Sequence, residues 1–280
     1  PFIDRPAAKT VRDGYETLLE LGAIQKTGAE WALTDKGRVM ARMPLDPRLS
    51  RMLVEAHREN CLPEVAVLAA GLSIRDPRER PPELASQADV VHAEFRDPNS
   101  DFLALLNIWK RFHGEFEELG TAVQKRKFCH DHFLSFPRMR EWVYLHQEIR
   151  AVLAEQRLLP RGDKEGQRIV SPNRETGRAS LAPHADVSPA LYAAIHRSIL
   201  AGFLSNIAAH KEKNIYTAAK NREVFLWPGS VLFSKPPAWI VATEVVRTSR
   251  LFARQAARVE PAWLEELGGP LCKRSYYDAA

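Results

Sequence analysis

The segment from Asn214 to Leu264 places the strongest constraint on the fold, because it alone reads as a series of short β-strands. Runs of β-branched and aromatic residues occupy Val224–Trp227, Val231–Phe233 and Trp239–Val246, and proline-containing turns separate them. A further strand is expected to follow these runs. Four or five short strands within roughly fifty residues predict a small β-barrel.

The last of these strands, from Arg250 to Val259, alternates between polar and apolar residues. Even positions hold Arg250, Phe252, Arg254 and Arg258, whereas odd positions hold Leu251, Ala253, Ala257 and Val259. Since alternate side chains of a strand point to opposite faces, one face would pack in a core and the other would be cationic with an aromatic ring. On a helix the same arginines would form a solvated stripe, but the β-branched Val245 and Val246 favour the strand.

The barrel segment is more basic than the chain as a whole. The formal net charge of the chain is +5, yet the region from Lys211 to Arg258 contains nine Lys or Arg residues and three Glu residues. Clustered cations usually bind a polyanion, although a solvated basic face would have the same composition. A basic surface with aromatic rings is typical of proteins that bind single-stranded RNA or DNA, and we expect Arg247, Arg250 and Arg254 to do so.

Loops and one helix start carry further candidate residues for nucleic-acid binding. The polar residues of two predicted barrel loops are Lys220, Asn221, Arg222 and Lys235. Loops at one end of such a barrel commonly hold oligonucleotides. Arg138 and Arg140 begin the helix that Pro137 opens, where the helix dipole would add to their attraction for phosphate. A solvated basic turn is the alternative interpretation of these two arginines.

The rest of the chain is predicted to be helical, so the fold class is multidomain and mainly α with one small β-barrel. We expect a winged helix at residues 1–47, a helical bundle at 48–211 and the barrel at 212–280. The winged helix is interpreted as structural, because its second helix lacks a clear base-reading face. Residues 160–189 are rich in Gly, Pro, Ser and charge and predict a flexible insertion. The last helix is predicted over Ala190–Ala209 from its apolar spacing.

The sequence lacks the motifs of common catalytic sites. The phosphate-binding GxxxxGK[ST] loop, GxGxxG, GxSxG and HExxH are all absent. Cys129, His130 and His132 lie close together, but a zinc site needs about four ligands and these positions do not share one helix face. Packed or hydrogen-bonded side chains are therefore the favoured interpretation. We expect no catalytic residue, no metal and no cofactor in this chain.

Cysteine usage and hydropathy indicate the compartment. The three cysteines are odd in number and far apart, which favours a reducing environment over a disulfide framework. No apolar run reaches the length of a membrane span, and the N-terminus lacks the pattern of a signal peptide. These features predict a cytoplasmic protein with no membrane partner. Because the chain begins with Pro1, we expect it to be a piece of a longer protein.

Several motifs, in order and spacing, resemble the C-terminal region of DEAH-box RNA helicases, and among them the bacterial HrpA type. PLDPRLSRMLVEA and LSIRDPRERP are similar to the exit of the winged helix and the entry of the helical bundle. SDFLALLNIW and CHDHFLSFPRMREW are similar to two signatures of the bundle, which is a ratchet-like helicase-associated domain. The segment from NREVFLWPGS to VEPAWL is similar to the family's oligonucleotide-binding (OB) barrel. Only Arg161 to Pro189 falls outside the resemblance.

The resemblance implies a division of labour within a longer protein. Two RecA-like motor domains upstream would bind and hydrolyse ATP with Mg²⁺, while the region seen here would cap them and enclose a channel for single-stranded RNA. The full-length protein would unwind RNA from 3′ to 5′. By the same resemblance, Ser135, Phe136 and Arg138 would lie near the RNA.

A second hypothesis makes the chain a platform for protein interactions. In that case the basic OB barrel would dock a partner or the motor domains, and its arginines would pair with acidic side chains. A hydrolytic activity of the chain itself is disfavoured by the absent motifs.

Overall fold

The computed structural model describes residues 5–114, 120–158 and 187–269. Within these ranges the chain is mainly helical and contains one closed five-stranded barrel, as the sequence predicts. The predicted insertion at 160–189 lies outside the described residues except for its last three. Those three residues lead directly into a helix, which Ser188 caps by accepting a hydrogen bond from the backbone N–H of Leu191 at 3.2 Å.

The N-terminal unit is a helix, a β-hairpin and a short helix. These are α1 (Ala8–Glu20), β1 (Ile24–Thr27), β2 (Glu30–Leu33) and α2 (Asp35–Met40). The two strands pair antiparallel from Ile24↔Leu33 to Thr27↔Glu30. Thr34 caps α2 by accepting a hydrogen bond from the backbone N–H of Gly37 at 3.0 Å, as its position in the sequence predicts. This order matches the outline of the predicted winged helix.

Seven longer helices form the body of the described part of the chain. They are α3 (Pro47–Arg58), α4 (Leu62–Ser73), α5 (Ala85–Ala93), α6 (Asp101–Gly114), α7 (Ala122–Asp131), α8 (Phe136–Glu155) and α9 (Pro189–Gly202). Helix α4 is apolar on nearly every side and lies at the centre of the bundle. Trp142 of α8 donates from its indole nitrogen to the carbonyl of Val67 at 2.9 Å. At Gly71 a Cβ would come within 2.6 Å of the Trp142 ring, so glycine permits this close approach.

The barrel closes through the strand order β3-β4-β5-β7-β6. Its strands are β3 (Ile207–Glu212), β4 (Ile215–Ala218), β5 (Arg222–Leu226), β6 (Trp239–Arg247) and β7 (Leu251–Arg258), and helix α10 (Pro261–Gly268) follows. Neighbouring strands are antiparallel except for β5 and β7, which run parallel. Tyr216, Val224, Leu226 and Ile240 fill the interior. Of these five strands, the sequence runs Val224–Trp227, Trp239–Val246 and Arg250–Val259 predicted β5, β6 and β7.

Two predicted elements near the barrel are wrong. The helix predicted over Ala190–Ala209 ends at Gly202, and the chain enters strand β3 at Ile207, where pairing with β4 and β6 replaces helical hydrogen bonds. The domain limit expected at 211/212 consequently falls at the end of β3, inside the barrel. The strand predicted at Val231–Phe233 is a 3-10 turn over Val231–Ser234, which Ser230 caps through the N–H of Leu232 at 3.3 Å.

The alternation of strand β7 is interrupted at Gln255. Gln255 adopts the left-handed conformation with φ 49°, and the pairs on either side of it, Glu244↔Arg254 and Ala242↔Ala256, keep the same register with β6. Beyond Gln255, Ala256 packs inside the barrel while Ala257 packs against the helices. The predicted alternation therefore holds from Arg250 to Arg254 but does not continue to Arg258.

The carboxylate of Asp101, at the start of α6, joins the helical bundle to the barrel. It accepts hydrogen bonds from the Ser230 hydroxyl at 2.7 Å and from the backbone N–H groups of Val231 and Ala256, both at 2.9 Å. Burial raises the pKa of the Asp101 carboxyl, although these three hydrogen bonds and the nearby Arg78 guanidinium oppose the shift. The bend at Val231 and the backbone of β7 at Ala256 are thus both held by one side chain.

The substitution Asp101→Asn should destabilise the fold by about 1–3 kcal/mol, because the new amide nitrogen would face a buried backbone N–H instead of accepting from it. Urea unfolding of the two proteins measures the difference. Ser230→Ala, which removes only one of the three donors, is the graded control and should cost less. Equal unfolding free energies for Asp101→Asn and the wild type would contradict this role of Asp101.

A second buried polar pair lies beside this junction. His196 of α9 is fully buried, and its Nδ1 donates to the carbonyl of Tyr192 at 2.7 Å. Its Nε2 is 2.7 Å from the hydroxyl of Ser100, which must therefore donate the proton. The Tyr192 ring stacks on the imidazole with centroids 3.8 Å apart. Burial lowers the pKa of His196 from 6.5 to about 4, so the ring is neutral at physiological pH.

Stability should therefore fall when the solution is acidified below about pH 6.5. A histidine with a lowered folded-state pKa contributes its full stability above the unfolded pKa and loses it as the pH falls towards the folded pKa of about 4. The loss should approach about 3 kcal/mol at pH 4. Unfolding free energies of the wild type and of His196→Gln, measured across this range, isolate the effect. Parallel pH curves for the two proteins would contradict it.

Candidate nucleic-acid interface

Arginines and aromatic rings meet on the outer face of the barrel where β5 and β7 run parallel. Phe225 pairs in register with Phe252, and their ring centroids lie 6.0 Å apart. The Cζ atom of Arg250 lies 4.6 Å from the centre of the Phe225 ring, and that of Arg254 lies 4.0 Å from the Trp227 ring. The face is both cationic and aromatic, and its side chains come from two distant parts of the barrel sequence.

The arginines of this face differ from Arg258 in their ion pairing. Among the described residues, Arg247, Arg250 and Arg254 form no ion pair with Asp or Glu, and Arg247 and Arg250 are exposed. Arg258, which the predicted strand also placed on its polar face, has its Nη2 2.7 Å from the Glu260 carboxylate. The structure therefore brings together the three arginines that were predicted to bind nucleic acid.

The predicted loop residues lie at two other places on the barrel surface. Lys220 and Asn221 form the β4–β5 connection with left-handed φ values of 62° and 54°. Arg222 follows at the start of β5, where its Nε donates to the carbonyl of Ala219 at 3.3 Å. All three side chains are exposed, as is Lys235 after the 3-10 turn. Two successive non-glycine residues in the left-handed region make the β4–β5 loop a strained segment.

The bundle candidates lie at the start of α8. Ser135 is buried and its backbone N–H donates to the carbonyl of Pro77 at 2.7 Å. Phe136 lies under two guanidinium groups, with Cζ of Arg126 at 5.3 Å and Cζ of Arg140 at 6.0 Å from its ring centre. Arg138 donates from Nη1 to the carbonyl of Asp76 at 2.9 Å. Arg140 is the exposed arginine of this group, whereas Ser135 and Arg138 are partly taken up by internal contacts.

An ion pair lies in the loop that contacts this helix start. The carboxylate of Asp76, whose backbone carbonyl accepts from Arg138, forms a two-pronged contact with Arg78 at 2.7–3.2 Å. Burial raises the pKa of the Asp76 carboxyl, but Arg78 outweighs that effect and the net pKa is lowered. The negative charge of Asp101 helps to raise the pKa of Arg78, so the two groups interact electrostatically.

Sequence reasoning missed the contribution of strand β5 to the candidate interface. Val224 and Leu226 point into the barrel, and this leaves Phe225 and Trp227 on its outer surface. The alternation within this short run carried the signal. The approach of Phe225 and Trp227 to Arg250 and Arg254 depends on the parallel pairing of β5 and β7, and no local sequence pattern indicates that pairing.

The described part of the chain contains no arrangement that suggests a metal centre. Within residues 5–114, 120–158 and 187–269, no three His, Cys, Asp or Glu side chains come together as metal ligands would. Cys129 is buried, His130 lies 3.2 Å from Asp131, and the His132 ring stacks on Phe128 with centroids 4.0 Å apart. Separately, none of the described helices combines the length and apolar character that a membrane span requires.

The domain architecture defines the class of protein. Residues 46–105 match the family of ratchet-like helicase-associated (HA2) domains, and residues 195–271 match the oligonucleotide/oligosaccharide-binding (OB) fold. The second match begins in α9 and includes all five barrel strands. The barrel described above is thus an OB-fold attached to a helicase-associated helical domain.

The individual relatives that the chain resembles are named as RNA helicases. The chain is 36% identical to the ATP-dependent RNA helicase HrpA of Escherichia coli (strain K12) over 99% of its own length and 20% of that protein. It is 37% identical to the HrpA homologue of Haemophilus influenzae over the same shares. A probable human ATP-dependent RNA helicase, DHX35, is 28% identical over 95% of this chain and 33% of its own length. The matches confirm the predicted resemblance to the C-terminal region of HrpA-type DEAH-box helicases, although the chain spans about a fifth of the HrpA proteins.

Proposed function

We propose that this chain is the accessory, single-stranded RNA-binding region of a DEAH-box ATP-dependent RNA helicase. One observation carries the proposal. In a chain similar to HrpA, the barrel surface presents Arg247, Arg250 and Arg254, and within the described residues none of the three pairs with a carboxylate. Unwinding of RNA from 3′ to 5′ would belong to the longer protein. ATP and Mg²⁺ would bind the RecA-like motor domains, and the cytoplasm is the proposed compartment.

The proposed interface holds the strand by its phosphates rather than by its sequence. Arginines neutralise phosphate charges without reading the bases, so the affinity is sequence-tolerant and falls with ionic strength. The exposed Lys220, Asn221, Arg222 and Lys235 extend the cationic surface. Ser135, Phe136, Arg138 and Arg140 are proposed to line the strand on the bundle side, at the start of α8.

The domain limits follow from the same assignment. We place the winged helix at 1–47 and begin the OB barrel at Ile207, because β3 pairs with both β4 and β6. The helical domain then lies between these two units.

Because ATP is proposed to bind the motor domains of the longer protein, the purified chain should bind RNA without hydrolysing ATP.

Neutralising two unpaired arginines should weaken RNA binding. Arg247→Gln combined with Arg250→Gln should reduce the affinity for a uridine oligonucleotide about ten-fold or more at low salt. The slope of log affinity against log salt should fall by roughly 1.4, because each lost contact to a single strand removes about 0.7. Fluorescence anisotropy of a labelled oligonucleotide over a salt series measures both quantities, and a DNA strand of equal length tests the preference for RNA.

The matched control neutralises two arginines that are already paired. Arg58 lies 3.4 Å from Glu55, and Arg258 lies 2.7 Å from Glu260. Arg58→Gln combined with Arg258→Gln changes the net charge by the same amount and should leave affinity and slope nearly unchanged. If both double variants lose affinity equally, non-specific charge explains the binding and the proposed interface is wrong.

One observation favours an additional role in protein docking. Helix α1 and strand β2 leave large apolar side chains about two-fifths exposed on one unit, namely Val11, Tyr15, Leu19, Trp31 and Leu33. The rings of Tyr15 and Trp31 lie 5.6 Å apart. An exposed apolar cluster of this kind is typical of interaction surfaces. We therefore propose that the winged-helix unit, and not the basic barrel, is the surface that docks on the motor domains.

Docking and RNA binding can be separated with one variant. Tyr15→Ser combined with Trp31→Ser should leave the oligonucleotide affinity of this chain unchanged while lowering the RNA-stimulated ATP hydrolysis of the full-length protein. Unchanged ATP hydrolysis would contradict the docking role. Circular dichroism of the variant confirms that the small unit still folds.

A further inference from the structure

The aromatic–arginine face of the barrel has a repeated geometry. Phe225 of β5 lies beneath Arg250, which directly precedes β7, and Trp227, which directly follows β5, lies beneath Arg254 of β7. Phe252 lies between the two arginines in sequence and contacts both rings, with centroids 6.0 Å from Phe225 and 5.5 Å from Trp227. Residues two apart in an extended segment are separated by about 6.7 Å, so the two arginine-capped rings occupy neighbouring positions on one surface.

Packing alone does not account for this cluster. The three rings belong to neither the barrel core nor the core of the helical bundle, and each is only half-buried. An isolated cation–π pair at a surface stabilises a fold by only about 0.5–1 kcal/mol. Nevertheless three aromatic residues and two arginines are gathered on one outer face. The Nε of Arg254 has no hydrogen-bond acceptor among the described residues, so the guanidinium is held by its ring contact and not by an ion pair.

The Trp227 ring is also restrained from the neighbouring turn. A Cβ added at Gly229 would lie 2.9 Å from Nε1 of the indole, so glycine allows the turn to approach the ring closely. The backbone N–H of Trp227 donates to the carbonyl of Ala253 at 3.0 Å and fixes the residue against β7. The indole and the guanidinium above it are therefore pre-arranged before any ligand binds, which limits the entropy lost on binding.

We propose that these two arginine-capped rings are a base-stacking site for two neighbouring nucleotides of single-stranded RNA. Guanidinium planes and aromatic rings both stack on nucleobases, and every base has a face that can stack. The bases would continue the stacks built by Trp227 with Arg254 and Phe225 with Arg250. The guanidinium edges would remain directed to phosphate. The inference rests on the proposed RNA-binding function but adds a stacking contribution that charge alone cannot supply.

Charges around the face are compatible with this ligand. Arg247 and Arg250 are exposed at the β6–β7 hairpin, and Glu244, which is opposite Arg254 in register, is the acidic side chain that faces them from β6. Glu223 on β5 is engaged by Lys211. The net charge of these strands is thus positive, which favours a polyanion over an uncharged aromatic ligand.

The decisive experiment separates stacking from charge. Arg254→Lys keeps the positive charge but loses the planar group, and Trp227→Leu removes the ring without changing the charge. Each should weaken binding of a uridine oligonucleotide, by about three-fold or more for the lysine variant and about ten-fold for the leucine variant. Trp31→Leu is the matched control. The Trp31 ring is at the surface and lies 6.0 Å from the Nζ of Lys26, but it belongs to the N-terminal unit and not to the barrel. It should bind as the wild type does.

A second probe tests the role of the bases. An abasic oligonucleotide of the same length carries the phosphates without the stacking faces, and it should bind the wild type about as weakly as the normal strand binds Trp227→Leu. Tryptophan fluorescence should change on binding in the wild type and in Trp31→Leu, and the change should be much reduced in Trp227→Leu. Thermal unfolding of each variant verifies that the barrel is intact.

The outcomes distinguish this inference from the function on which it rests. If the wild type binds the normal and abasic strands equally, or if Arg254→Lys and Trp227→Leu bind as the wild type does, the stacking site is overturned while charge-driven RNA binding stands. If the wild type binds no oligonucleotide even at low salt, the proposed function itself fails.

Discussion

The three hydrogen bonds received by the Asp101 carboxylate determine how the helical and barrel parts of this protein are joined. The two carboxylate oxygens at the start of α6 fix the turn after Trp227 and the backbone of β7 at Ala256 at the same time. Both the ring of Trp227 and the guanidinium of Arg254 belong to the backbone segments so fixed. Burying a carboxylate opposes folding, and the raised pKa of Asp101 reflects that cost. The hydrogen bonds offset it because they replace the water that the group loses.

This joint also relates the two halves of the proposed RNA path. The loop at residues 76–78 contacts the start of α8 through the carbonyls of Asp76 and Pro77, and it carries Arg78 close enough to sense the charge of Asp101. The loop thus contacts the start of α8 directly and interacts with the barrel junction through the charge of Asp101.

Much of this arrangement could be read from the sequence, and the failures have a common cause. Alternation identified strand β7 and put Arg250, Phe252 and Arg254 on one face, and apolar spacing identified α6 and α8, because these signals are local. The turn at Val231–Ser234 has strand-like residues but is bent by Asp101, which lies 130 positions away from Val231 in the chain. The end of α9 at Gly202 and the left-handed pair Lys220 and Asn221 likewise depend on barrel closure. The stacking of Arg254 on Trp227 required the parallel pairing of β5 and β7.

The interruption at Gln255 constrains how the protein could vary. A change of phase without a change of register lets one strand contribute both Ala253 and Ala256 to the barrel interior and Ala257 to the helical core, which strict alternation could not do. The left-handed backbone of Gln255 marks the position of that change, and β-branched side chains rarely adopt it. Homologous chains should accordingly accept glycine or asparagine at this position far more readily than valine or isoleucine.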